Sequence, residues 1–119
     1  MKMLLASLLL TLSLSAAGIS GKWSGKFVDD QDKDHPESIY VVLTENGGAL
    51  TGTAGQNADQ QMPITNGKVD GNTISFDVKI EVITLHFSLT LAGNHLKGTV
   101  IASMDGENHP GTVDLTLVE

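Results

Sequence analysis

Apolar and polar residues alternate with a period of two along most of this chain. The longest runs span residues 74–82, 83–91 and 113–117, where every second residue is Ile, Leu, Val or Phe. Successive side chains of a β-strand point to opposite faces, so this pattern predicts strands of an antiparallel sheet that is covered on one side. After residue 17, no segment has the 3.6-residue period of an amphipathic helix. The sequence therefore predicts an all-β fold.

Turn-forming sequences separate the runs. They are Asn46-Gly47-Gly48, Asn66-Gly67, Asp70-Gly71-Asn72, Gly93-Asn94 and Asp105-Gly106, which favour tight reversals of the chain. The predicted strands are 21–28, 38–45, 49–56, 61–68, 73–81, 83–92, 95–103 and 111–118. Neighbouring strands must pair antiparallel, because parallel pairs need long crossovers. We expect an antiparallel up-and-down meander of about eight strands, closed or nearly closed into a barrel without exposed edges.

Two further features bear on the strand order. The alternation changes phase between Val82 and Ile83, which a bulge in one long strand or a hairpin at Glu81-Val82 would explain; the hairpin is preferred. Residues 39–54 also align without gaps on residues 85–100. This internal match predicts equivalent hairpins in two halves of one sheet, with convergence on a common hairpin composition as the alternative.

The first 17 residues have the pattern of a secretory signal peptide. Lys2 supplies a positive start, residues 3–14 are mostly apolar, and small residues precede a cleavage position after Ala17. The apolar run is shorter than the roughly 20 residues that span a membrane as a helix, and no later segment is long and apolar enough to do so. We expect a signal peptide at 1–17, a single β-barrel domain at 18–119, and a secreted or periplasmic protein.

Composition excludes several classes of function. The chain has no cysteine, which rules out disulfides, a thiolate nucleophile and Cys-ligated zinc. Its formal charge is −7, and its seven Lys and Arg side chains are all Lys. An acidic chain without Arg is poorly suited to phosphate recognition, so no nucleic-acid partner is expected.

The inward face of the predicted barrel mixes large and small residues. Gly52 and Gly98 either let strongly coiled strands approach each other or leave a cavity. A filled interior is favoured, because a mature chain of about a hundred residues has little core to spare. A cavity would have apolar walls and an apolar ligand. Its candidate lining residues are Trp23, Phe27, Val41, Leu43, Phe76 and Phe87.

Residues 17–23 read AGISGKW, and residues 48–53 read GALTGT. These segments resemble the opening of avidin-type biotin-binding barrels, and Gly21-Lys22-Trp23 resembles the first strand of lipocalins. The chain is also similar to small secreted bacterial β-domains that carry a Gly-Lys-Trp-x-Gly-x-Phe element. The resemblance to these calycin-type barrels implies an eight-stranded up-and-down barrel, secretion, a ligand pocket at one barrel end, and often a tetramer. The biotin-site residues are not matched, since Ser24 and Gly25 follow Trp23 where the family has Asn, and Ala54 stands where it has Tyr.

The densest charge lies between the first two predicted strands. Asp30, Asp32 and Asp34 have the Asp-x-Asp-x-Asp spacing that arranges carboxylates around Ca²⁺, and Glu37 could supply a further ligand. His35 occupies the position where an EF-type loop has Gly. A calcium site at these four residues and a solvated acidic loop are the two interpretations, and no other cofactor is expected.

No catalytic constellation is visible in the sequence. Ser88 and His86 share a strand face, but neighbours two residues apart do not build a nucleophile–base–orienter set. Asp77 and Glu81 alternate with Lys79, which is typical of a solvated face. We therefore predict that the protein is not an enzyme.

The function predicted from the sequence is a secreted, non-catalytic β-barrel module that binds a small apolar molecule or an envelope partner. The alternatives are a structural protein that associates with copies of itself, as a homo-oligomer, and a calcium-dependent binder that uses the loop from Asp30 to Glu37.

Overall fold

A computed structural model describes residues 18–118 of the protein. The predicted signal peptide at 1–17 lies outside the described residues. Nine strands make up the described chain: β1 (Gly21–Asp29), β2 (Glu37–Asn46), β3 (Ala49–Asn57), β4 (Gln60–Pro63), β5 (Thr65–Asp70), β6 (Thr73–Ile80), β7 (Ile83–Ala92), β8 (His95–Met104) and β9 (Glu107–Leu117). No helix occurs in this part of the chain, which confirms the all-β prediction.

The strands form a closed antiparallel barrel. Strand β1 pairs with β2 on one side and with β9 on the other, so the first and last strands meet. The ring runs β1-β2-β3-β5-β6-β7-β8-β9, and β4 extends the pairing along β3. Eight strand positions therefore close the barrel, which confirms the predicted up-and-down meander.

The fourth predicted strand, 61–68, is divided into two short strands, β4 and β5. Strand β4 pairs with β3, whereas β5 pairs mainly with β6 and touches β3 at one register position. Pro63 ends β4, because proline has no N–H to donate to a ladder. A register shift between Thr65 and Lys68 and a positive φ of 54° at Asn66 bend the chain at the start of β5.

Two turns decide the remaining strand boundaries, one as predicted and one not. Ile80 pairs with Ile83, and Glu81 has a φ of 58°, so the phase change is a hairpin at Glu81-Val82, as preferred. Strand β9 begins at Glu107 rather than at residue 111. The reason is the two-residue turn at Asp105-Gly106, whose φ angles of 52° and 79° allow Met104 to pair directly with Glu107.

The barrel has two different ends. We call the end where β1 starts the closed end and the end where β1 stops the open end. At the closed end the Trp23 indole Nε1 donates a hydrogen bond of 3.0 Å to the Ile19 carbonyl, and both side chains are buried. The segment before β1 thus plugs this end. Around it pack the buried side chains of Leu43, Leu50, Ile74, Leu89, Leu96 and Leu115.

The internal match between residues 39–54 and 85–100 is a structural equivalence. Leu43 pairs with Gly52 in the β2–β3 hairpin, and Leu89 pairs with Gly98 at the corresponding place in the β7–β8 hairpin. A Cβ at Gly52 would lie 1.9 Å from the Val42 carbonyl oxygen, and one at Gly98 would lie 2.0 Å from that of Ser88. Both glycines therefore allow close approach of neighbouring strands, and the two hairpins lie four places apart in the ring of eight.

Candidate binding cavity

A cavity of about 170 Å³ occupies the open half of the barrel and opens to solvent at the rim. Its walls come from inward-facing residues in the open halves of β1, β2, β3, β6, β7 and β8. The apolar members are Phe27, Ile39, Ala54, Val78, Ile80, Leu85, Phe87 and Val100. The sequence left a filled and a hollow interior as alternatives. The structure has both, because the half of the barrel at the closed end is packed and the half at the open end contains the cavity.

Small residues of β3 contribute to one wall of the cavity. Inward positions at the closed end carry Trp23 and leucines, whereas Ala54 and Gly55 line the cavity on β3. Phe87 forms part of the cavity wall and stacks on Phe76, with ring centroids 4.7 Å apart. Phe76 itself is buried and is not part of the wall. The aromatic pair therefore connects the cavity to the packed half.

The six residues predicted to line a cavity divide between the two halves. Phe27 and Phe87 line it. Trp23, Val41, Leu43 and Phe76 are instead almost completely buried in the packed core, because they lie nearer the closed end that Trp23 fills. The alternation of the sequence identifies inward residues but not their height along the barrel, and for this reason it missed Val78, Leu85 and Val100 as wall residues.

The rim of the cavity combines exposed apolar side chains with a few polar groups. Ile80 is 41% exposed and Val82, in the adjacent turn, is 73% exposed. The polar lining residues are Glu37, Ser38 and Gln56. The Ser38 hydroxyl accepts a hydrogen bond of 3.2 Å from the Lys26 ammonium group. Few polar groups are thus positioned to orient a ligand, and Glu37 is the one that carries charge.

The acidic loop between β1 and β2 lies at the open end, but its carboxylates are not gathered. The Asp32 carboxylate lies 2.7 Å from His35 Nδ1, and the Asp29 carboxylate accepts a hydrogen bond from the Gln31 backbone N–H. Within residues 18–118, no group of three or more acidic or His side chains is arranged to hold a metal ion. Calcium binding by Asp30, Asp32, Asp34 and Glu37 thus stays one of two untested interpretations, beside a solvated acidic loop.

Each histidine lies beside a carboxylate on the exposed surface. The pairs are His35–Asp32 at 2.7 Å, His86–Asp77 at 2.8 Å, His95–Asp114 at 3.2 Å and His109–Glu107 at 3.5 Å. His86 lies opposite Ile101 on β8, whereas His95 lies opposite Ala92, so these two imidazoles do not meet. His86–Asp77 and His95–Asp114 are cross-strand contacts, His35–Asp32 lies in the loop before β2, and His109–Glu107 joins two residues of β9 near the rim.

Asp77 is the most enclosed of the paired carboxylates, with a side chain 21% exposed. Asn66 donates a hydrogen bond of 2.9 Å to Oδ2, and His86 contacts Oδ1. Partial burial alone would raise the pKa of Asp77, but these hydrogen bonds and the positive charges of His86 and Lys79 outweigh it and lower the pKa below its ordinary value. The group ties β5, β6 and β7 together on the outer surface.

Comparison with known proteins identifies no relative: no family model, no curated protein and no solved structure matches this chain. None of the elements between residues 18 and 118 is a helix of the length and apolarity needed to cross a membrane.

Proposed function

We propose that this protein is an exported, non-catalytic binding protein that holds a small apolar molecule in the cavity at the open end of its barrel. The observation that carries the proposal is the cavity itself, about 170 Å³ with predominantly apolar walls. Apolar cavities of about 150 Å³ can take up a benzene-sized molecule. A short alkyl chain or a single aromatic ring therefore fits this site, with the rest of a longer ligand extending through the rim.

The barrel architecture supports this proposal. Eight strand positions in an antiparallel ring are typical of calycin-like folds, in which the barrel mouth is a frequent ligand site. One end sealed by Trp23 and the other left open gives the interior a single entrance. An avidin- or lipocalin-like mode of binding is part of the proposal, without biotin as the ligand, because Ala54 and Gly25 replace polar contacts of the biotin site.

The surface chemistry favours binding over catalysis. His86, with its Asp77 partner, points away from the cavity on the outer surface, and no Ser or Thr hydroxyl is shown bonded to its imidazole within the described chain. Among the lining residues of the cavity, Glu37 is the one that carries a carboxylate, and it is an exposed residue at the mouth. A lone carboxylate at an apolar mouth supplies neither a nucleophile with its base nor an oxyanion site.

The charge at the open end also favours a small ligand over a second copy of the chain. The exposed apolar side chains of Ile80 and Val82 lie at an end rich in acidic residues, where two copies would repel each other.

The test is titration of the purified protein with n-octanol, followed by isothermal calorimetry and by NMR chemical shifts. Burial of five or six methylene groups at about 0.8 kcal/mol each predicts a Kd of about 0.3–1 mM. Shift changes should be confined to residues around the cavity, such as Val100 and Leu85.

A matched pair of variants locates the site. Ala54→Leu places a larger side chain in the cavity and should abolish octanol binding, whereas Ala92→Leu, on the exposed surface near the closed end, should leave it unchanged. The proposal is wrong if octanol shows no saturable binding to the protein, or if Ala54→Leu binds octanol as the unmodified protein does.

A further inference from the structure

We infer that the ligand of this cavity is a cationic amphiphile, whose apolar tail enters the barrel and whose positively charged head group lies among the carboxylates of the open end. The inference rests on the proposed function, because it names the chemical class of molecule that the same cavity accepts. It is carried by the apolar cavity together with the distribution of charge between the two barrel ends.

The connections at the open end are strongly acidic. They are the loop 29–37 and the turns at 57–60, 80–83 and 104–107. Their acidic residues are Asp29, Asp30, Asp32, Asp34, Glu37, Asp59, Glu81, Asp105 and Glu107, against Lys33 as the single lysine. Charges that surround an opening with low-dielectric walls raise the local concentration of ligands of opposite sign.

The closed end does not share this charge. The segments there, at 18–22, 45–49, 68–73, 92–97 and 117–118, contain Lys22, Lys68 and Lys97 together with Glu45 and Asp70. The acidity of the protein is thus concentrated around the entrance to the cavity rather than spread evenly over its surface. A general need for solubility would not require this placement.

Three of the acidic residues occupy the last inward positions of adjacent strands. Glu37 on β2 pairs with Phe27, which lines the cavity, and Glu37 itself is part of the lining. On β1, Asp29 lies two residues beyond Phe27 on the same face, and on β9, Glu107 pairs with the inward position of Met104. By register, Asp29 and Glu37 lie on adjacent strands at one side of the mouth, whereas Glu107 lies four residues beyond Gly111, the partner of Asp29, at the start of β9.

The nearby cations are fewer than these acidic residues. Lys26 and Lys79 occupy outward positions of β1 and β6, and the Lys26 ammonium group donates a hydrogen bond to the hydroxyl of Ser38, the residue after Glu37. His109 is 3.5 Å from Glu107, and His35 is paired with Asp32 in the loop. The open-end connections contain one lysine, Lys33, and eight acidic residues besides Glu37. A ligand with a positive head group therefore complements the mouth, whereas a fatty acid or another anion is repelled.

The experiment compares three ligands that share one chain length and differ only in the head group. The affinities of n-octyltrimethylammonium, n-octanol and n-octyl sulfate are measured by calorimetry below their micelle concentrations, at low salt. We expect the cation to bind about tenfold more tightly than octanol, and the sulfate at least tenfold more weakly. Raising the salt to about 0.5 M should reduce the preference for the cation to about threefold or less, since screening lengths fall from about 10 Å at 0.1 M to about 3 Å at 1 M.

Two variants on one strand test whether the mouth is responsible. Glu37→Gln removes a carboxylate from the cavity lining, and Glu45→Gln removes one from the opposite end of β2. Glu37→Gln should lower the affinity for octyltrimethylammonium about threefold or more without changing that for octanol. The control Glu45→Gln should change neither affinity.

The outcomes separate this inference from the proposed function. If octanol binds but the cation binds no more tightly, or if Glu37→Gln and Glu45→Gln have equal effects, the inference is wrong and the apolar cavity still stands as a binding site. If none of the three ligands binds, the proposed function fails as well.

Discussion

Replacement of Ala54 by Leu should stabilise the protein, because it fills part of the cavity. Ala54 is 3% exposed and lines the cavity on β3, between Val41 on β2 and Met62 on β4. Leucine adds three carbon atoms, and burial of each contributes at most about 0.8 kcal/mol, or about 2.4 kcal/mol in total. Ordering the new side chain costs about 0.5–1 kcal/mol. The expected gain in the free energy of unfolding is therefore about 1.5 kcal/mol.

Thermal and urea unfolding, followed by far-UV circular dichroism, measure this gain. For a domain of about a hundred residues, 1 kcal/mol corresponds to about 4–8 °C in melting temperature, so Ala54→Leu should raise Tm by about 6–12 °C. Ala92→Leu places the same side chain on an exposed position near the closed end and should change the free energy of unfolding by less than about 0.5 kcal/mol.

The opposite result would refute the reasoning. Insertion of methylene groups into a packed core destabilises by about 1–3 kcal/mol. A loss of this size in Ala54→Leu would show that no free volume lies beside Ala54, and the cavity would lose its role as a ligand site.

Three further predictions follow from the structure. Gly98→Ala should lower the free energy of unfolding by about 2 kcal/mol or more, because the new methyl group would lie 2.0 Å from a backbone oxygen. Gly47→Asn, at a φ of 61° with open space around it, should change the free energy of unfolding by less than about 0.5 kcal/mol. Urea unfolding of the two variants measures both effects. The lowered pKa of Asp77 means that its carboxylate stabilises the fold above the unfolded-state pKa of about 3.9 and loses this effect as the pH falls through the lower folded-state value. Asp77→Asn should therefore be less stable by about 1 kcal/mol at pH 7, and this difference should shrink as the pH falls below the unfolded-state pKa; a difference independent of pH would contradict this. Calcium at about 5 mM, above the roughly 10⁻⁴–10⁻³ M Kd of extracellular calcium modules, should leave Tm unchanged; a rise that Asp32→Ala abolishes would show that the loop closes around the ion.

Most of the fold could be predicted because one local signal repeats along the whole chain. Alternation identified the inward face of each strand, and short turns left only antiparallel neighbours, so the order of the ring followed. The division of the fourth strand and the start of β9 were harder to predict from the sequence. Pro63 ends β4, and the apolar pattern of residues 61–68 gives no sign of this break. Pro110 lies within β9, paired with Ile101, although a proline usually argues against a strand.

The site was harder to predict than the fold, because it depends on height along the barrel. Val41 and Phe27 both point inward, yet Val41 is completely buried and Phe27 lines the cavity. Only the register of each strand with its neighbours and the plug formed by Trp23 and Ile19 distinguish them. The acidity of the open end is easier to predict from the sequence, because alternate turns of a meander fall at the same end of the barrel.

The division of the barrel into a packed and a hollow half has a physical cost that argues for a function of the hollow half. An empty cavity of 170 Å³ would cost about 4 kcal/mol at about 24 cal/mol per Å³, and a solvated, open one costs less. A domain of this size has about 5–15 kcal/mol of total stability, and an open cavity such as this one takes less than about 4 kcal/mol from it. A single substitution such as Ala54→Leu could recover part of it with a residue that suits a strand interior. The buried side chains at the closed end offset the loss, and the open half keeps a cavity of the size that the proposed ligand requires.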